Sequence, residues 1–239
     1  MSTFVVFRRE IGHYFGSPFA YLIGFAVLFF TGLLFTQSLN VSENAVFDPA
    51  IIPLSLSFLM IFFSPLLTMR LLAEEKREGM FELLLTSPAP DGSIVLGKFL
   101  GAWFYYSVLL GITLAYQIIL TSVTSPDFGQ TIAAYLGIWL YGGATLAVGL
   151  MFSAVSENQV VAAFFSMIAL LILWLADAAG QVIPNIDVAR VVRLLSLQGH
   201  FSTSFGVGIV RMEDIAFFLG VITVMIFLTT RFVEANRWR

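Results

Sequence analysis

Residues 19–39 read FAYLIGFAVLFFTGLLFTQSL, a run without a single Asp, Glu, Lys or Arg. A helix needs about 20 apolar residues to cross a hydrocarbon core of roughly 30 Å, so this stretch is long enough to span a bilayer. Working outward from it, five more stretches qualify: 51–69, 94–123, 131–155, 160–179 and 215–233. A closed β-barrel is the other way to cross lipid, but it is written in short alternating segments separated by turns. These runs are continuous. The expected fold is an all-α membrane protein with six transmembrane helices in a single domain over 1–239.

Composition gives the same reading. Of the 239 residues, 59% are hydrophobic and 11% charged, against roughly 25% charged in an ordinary soluble domain. Mean hydropathy is +0.92. A chain this small has too much surface for its volume to hide so much apolar area from water. The net charge of −3 argues against a nucleic-acid partner, since phosphate binding needs a basic face. With no cysteine there is no disulfide framework and no thiol chemistry. The first apolar run is too long for a signal-peptide core and no small-residue cleavage site interrupts it, so it is expected to be a retained first span.

Lys and Arg placement sets the expected orientation. With the N-terminus inside, the inner side holds Arg8, Arg9, Arg70, Lys76, Arg77, Lys98, Arg231, Arg237 and Arg239. The outer side holds Arg190, Arg193 and Arg211, all in one long loop. Both termini are therefore expected in the cytoplasm, in a plasma (inner) membrane protein. Residues 2–14 are amphipathic, with Phe4, Val5, Phe7 and Ile11 as apolar surface and Arg8, Arg9 and His13 as charge. Such a helix lies in the headgroup layer, as a plain anchor or with a specific packing role.

Residues 70–93 differ in character from the other connectors. Glu74, Glu75, Lys76, Arg77, Glu78 and Glu82 crowd together, the apolar run 80–85 follows, and Pro88 and Pro90 end any helix. As a helix, Glu74, Glu78 and Glu82 would line one face at i, i+4 and i+8, with Arg77 offsetting part of the repulsion. Gly79 either costs about 1 kcal/mol in that helix or marks a turn. A charged run usually faces water. A solvated loop gains nothing from exposing Met80 to Leu85, however, which favours a docking element for another protein.

Other chemistry is sparse. Gly92 to Phe99 matches the phosphate-binding pattern GxxxxGK, but Phe99 stands where Ser or Thr must hold Mg²⁺, and no strand precedes it. Lys98 is expected instead to snorkel to the headgroups, and Gly97 and Gly101 to form a small-xxx-small face for another helix. His13 and His200 are far apart, and Asp177 and Glu157 sit near span ends. The chain thus offers no nucleotide, cofactor, metal or catalytic site. A proton-coupled carrier usually needs more ionisable groups within its spans.

The stretch Glu74-Glu75-Lys76-Arg77-Glu78-Gly79-Met80-Phe81-Glu82-Leu83-Leu84-Leu85-Thr86-Ser87-Pro88, following a second span, resembles the type-2 ABC exporter permease family. Within it, the chain is similar to the branch related to the bacterial gliding-motility permease subunit. Supporting residues are Arg8-Arg9-Glu10, Tyr14-Phe15, Ser17-Pro18, His200-Phe201, Gly208, Asp214 and the basic end Arg237-Trp238-Arg239. The resemblance implies that segment 70–93 is a coupling helix docking into a separate ABC ATPase subunit, through Glu75, Gly79, Glu82, Leu83 and Leu84. The family commonly has Thr where this chain has Met80. ATP and Mg²⁺ would reside on the ATPase.

The resemblance also implies gate-like re-entrant helices in 178–213, with Arg190, Arg193, His200 and Phe201 as outer-gate candidates. A flap on the lipid surface is the plainer reading of that amphipathic loop. A second permease copy or homologue would pair with this one, with Gly142, Gly143 and Ala147 as packing candidates. The apolar interior would suit a lipid-like or amphiphilic cargo. Two other functions fit a six-span chain: a secondary transporter or channel acting alone, and a scaffold subunit of an envelope or gliding machine.

Overall fold

The computed structural model describes residues 3–41, 48–79, 90–123 and 126–237; among them the chain forms helices and no strand. Helix α1 (Thr3–Gly16) stops at Ser17 because a residue before proline avoids the helical region. Pro18 then opens α2 (Pro18–Val41), where a missing N–H costs nothing. The chain continues through α3 (Ile51–Thr68), the short α4 (Ala73–Arg77), α5 (Asp91–Val123), α6 (Phe128–Val155) and α7 (Gln159–Val182). Helices α8 (Ile186–Leu194) and α9 (Leu197–Ser202), and a 3₁₀ turn (Phe205–Val207), precede α10 (Met212–Arg237). Six of these helices, α2, α3, α5, α6, α7 and α10, are long and apolar enough to cross a membrane.

Side-chain caps set several starts. Asp127 accepts from the N–H of Gly129 and Gln130 to begin α6, Asn158 from Val160 to begin α7, Asn185 from Asp187 and Val188 to begin α8, and Ser196 from Gly199 to begin α9. Residues 178–213 are therefore mostly folded rather than loop: α7 runs to Val182 and three short helical elements follow.

Helix α6 is the axis. Of its most apolar window, 78% is buried inside the chain, against 17% for α10, so α10 turns most of its flank outward. Glycines let neighbours reach the α6 backbone. A Cβ on Gly142 would stand 2.2 Å from the Tyr106 ring, and one on Gly137 2.4 Å from Phe205 Cβ. A Cβ on Gly143 would meet Trp103 and Ile222, and Ala147 is fully buried. These positions are filled by the chain's own helices. Gly142, Gly143 and Ala147 are thus covered internally and are not available to a second copy, which corrects that part of the sequence reading.

Helix α2 meets α5 through two tyrosines over two glycines. Tyr105 Oη lies where a Gly24 Cβ would be 2.8 Å away and donates to the carbonyl of Ala20 at 2.6 Å. Tyr116 repeats the contact at Gly32 and donates to Leu28 O at 3.0 Å. Each hydroxyl is thereby satisfied inside an apolar interface.

Candidate functional site

At one end of the bundle, α1, α5 and α6 converge on α4, the first turn of the charged segment. Its exposed backbone donors are met from α6: Ser153 Oγ accepts from the N–H of both Leu72 and Ala73 at 3.1 Å and donates to Met69 O. A helix start needs such partners, and Leu72 at the cap position cannot supply one from its own side chain. Lys76 Nζ donates to the carbonyl of Ala154, one residue further along α6. All four bonds involve the last turn of α6.

The opposite face of α4 carries Glu75, and that carboxylate points inward. Lys98 Nζ, on α5, donates to Glu75 Oε1 at 2.7 Å and to Glu10 Oε1, on α1, at 2.8 Å. The side chains are 3%, 10% and 8% exposed for Lys98, Glu75 and Glu10, so this is a buried three-member ion cluster. One lysine holds three elements together. Such groups survive burial only when paired and hydrogen-bonded.

Helix α1 is drawn onto α5 along a face that ends in that cluster. Val6, Glu10 and Tyr14 are its buried positions, at i, i+4 and i+8. A Cβ on Gly97 would lie 2.6 Å from Val6 Cβ, and one on Gly101 2.6 Å from Glu10 Cβ, so these two glycines receive α1 itself. Tyr14 stacks on Tyr105 and donates to Leu67 O at 2.8 Å. Phe4 and Val5 are exposed, whereas Phe7 meets the ring of Phe104 on α5, so the apolar surface read from the sequence packs on the bundle only in part.

Several sequence readings change here. Lys98 does not snorkel, because two carboxylates hold it inside. Glu75, read as a docking contact, is committed to Lys98. Glu74 pairs with Arg70, N to O 4.0 Å, and not with Arg77. The helix ends at Arg77, and Gly79 sits at φ 70°, a left-handed turn that glycine favours. Glu78 therefore follows the end of the helix that carries Glu74. Met80, Glu82, Leu83 and Leu84 lie outside the described residues.

At the other end, Arg193 packs over Gly180, where a Cβ would come within 2.5 Å of its Cγ, and donates to Gly180 O at 3.0 Å. Arg190 is exposed and makes no ion pair among the described residues. His200 Nδ1 lies 2.6 Å from Asp214 Oδ1, its Nε2 3.2 Å from Leu194 O, and its ring stacks on Phe217. Phe201 is fully buried against Tyr141. Of the four outer-gate candidates, Phe201 is thus core, His200 ties α9 to α10, and the two arginines lie on α8.

The sequence reading missed Glu10, Lys98 and Ser153 as a set. The signal was present: a lysine inside an apolar span, and a glutamate at the i+4 position of an otherwise apolar helical stripe. Ser153 gave no such signal.

Residues 35–230 match the family model described as ABC-2 family transporter protein. No curated protein matches the chain.

Proposed function

The chain belongs to the ABC-2 transporter family, a class of membrane transport components that generally partner with an ATPase subunit, and from that premise we propose that segment 70–93 is where the ATPase engages. The observation that supports this reading is the fastening of α4. A push on α4 reaches α6 through Ser153 and Lys76, and α5 and α1 through Glu75, Lys98 and Glu10. A loop that merely joined two spans would need none of these bonds.

In this proposal the segment is cytoplasmic, as both termini are, and the protein sits in the inner membrane. Glu75 positions the docking element. Gly79 turns the chain, and Glu82, Leu83 and Leu84 reach the ATPase. ATP and Mg²⁺ are bound by the partner. A second permease copy or homologue completes the route, and the cycle drives export or transmits force, as in the gliding-motility branch. Energy transfer requires only that the ATPase bind two arrangements of α4 with different free energies.

The test is co-purification with an ABC ATPase encoded beside this chain. Glu82→Arg with Leu84→Asp is expected to reduce complex yield at least tenfold while the permease still inserts. An unchanged yield removes the docking assignment.

A further inference from the structure

A cavity of about 340 Å³ lies between α1, α2, α3 and α4. Its floor is the Glu10–Lys98–Glu75 cluster and its walls include Ile23, Leu66 and Leu67. Arg70 stands at the mouth, 4.2 Å from the centroid of the Phe19 ring and paired with Glu74. The volume is in the range of small-molecule sites, and the lining combines apolar walls with a few convergent polar groups.

The floor carries two carboxylates and one ammonium. Lys98 uses one oxygen of each glutamate, while Glu75 Oε2 is buried with no hydrogen-bond partner among the described residues. A buried carboxylate oxygen is costly unless a donor reaches it. Arg9 and Arg70 at the rim do not, since Arg9 is exposed and Arg70 is engaged by Phe19 and Glu74. An anion would meet an excess of negative charge. A divalent metal would want three or more His, Cys, Asp or Glu ligands, and no such group occurs among the described residues. An uncharged chain would fill the walls and leave Oε2 unmet.

We propose that this cavity binds a cationic amphiphile, a protonated amine toward which the Glu75 carboxylate turns so that Oε2 accepts its N–H, and whose tail lies against Ile23, Leu66 and Leu67. This site shares Glu75 with the proposed coupling path, but its occupancy can be read on the permease alone.

The experiment uses the full chain in phosphatidylcholine nanodiscs, without ATPase, and a dodecylammonium carrying a diazirine as photoprobe. Labelling is expected to saturate, to map by mass spectrometry to α2 and α3 beside the cavity, and to be displaced at least tenfold better by dodecylammonium than by dodecanol or dodecyl sulfate. Glu75→Gln keeps the shape and removes the charge, and is expected to weaken binding about 10- to 100-fold, as for loss of a charge-assisted hydrogen bond. Leu66→Trp fills the cavity without touching the ion cluster and is expected to abolish labelling, so the proposal remains testable if Glu75→Gln folds poorly. Equal displacement by dodecanol overturns the proposal. So does unchanged labelling in Leu66→Trp, or an equal loss in the rim variant Glu78→Gln, which would reduce the effect to surface charge. Failure here leaves ATPase co-purification untouched, and the converse holds.

Discussion

Lys98 is the residue on which the interior electrostatics of this permease turn. Two carboxylates within 2.8 Å of one ammonium make a cluster with one negative charge to spare. Removing either glutamate leaves a balanced pair, whereas removing the lysine leaves two buried carboxylates facing each other. Lys98→Met is therefore expected to destabilise by about 3–5 kcal/mol, the cost of breaking a buried pair from one side. Glu10→Gln keeps a neutral acceptor for Lys98 and is expected to cost about 1–2 kcal/mol. Thermal unfolding of the purified variants in one detergent reads the order. If Glu10→Gln melts as early as Lys98→Met, the cluster is not what holds these elements. Lys98 was visible in the sequence as an ionisable group in an apolar run, but its partners were not. Glu10 is 88 positions away, and no local pattern states which helix folds back onto which. Glu75 misled for the complementary reason: in a charged run, one side chain turning inward looks like its solvated neighbours.

At the scale of elements, the long apolar helices were legible because lipid allows few solutions, and their ends shifted by only a few residues. The short elements were not. Helix α1 was readable as amphipathic, yet its packing face is Val6, Glu10 and Tyr14, a stripe with a charge in it that hydropathy alone assigns to water. Its seat on α5 depends on Gly97 and Gly101, whose missing side chains admit Val6 and Glu10. The chain has no native cysteine, so engineered pairs report without background. The Phe7 and Phe104 rings lie 5.9 Å apart, and Phe7→Cys with Phe104→Cys is expected to be joined efficiently by a short bis-maleimide crosslinker. Adding Gly101→Val drives a side chain into Glu10 Cβ and is expected to cut that yield severalfold, read as a gel shift. Efficient crosslinking in the Gly101→Val background would show that α1 does not need this close approach.

For the whole molecule, the arrangement of charge and the arrangement of bonds coincide. The end of the bundle that gathers α1, α4 and the last turn of α6 also carries Arg8, Arg9, Arg70, Lys76, Arg77 and Lys98. Positive side chains are retained on the side where insertion begins, and a short connector rich in them is hard to translocate. Arg190, Arg193 and Arg211 lie in or beside the α8–α9 region, which is folded and capped by its own Asn185 and Ser196 rather than stretched as a loop. With that region outside, its three arginines would not reverse the expected bias, because the rule weakens as connections lengthen. Single cysteines at exposed positions of the two ends settle the matter. In intact cells, Arg190→Cys is expected to react with a membrane-impermeant maleimide, and Glu78→Cys only after the membrane is opened or inverted. Each position is exposed, so a failure to react reports sidedness and not burial. Labelling of Glu78→Cys in sealed cells would put α4 outside, beyond the reach of any cytosolic ATPase, and the ion cluster behind it would then need a different explanation.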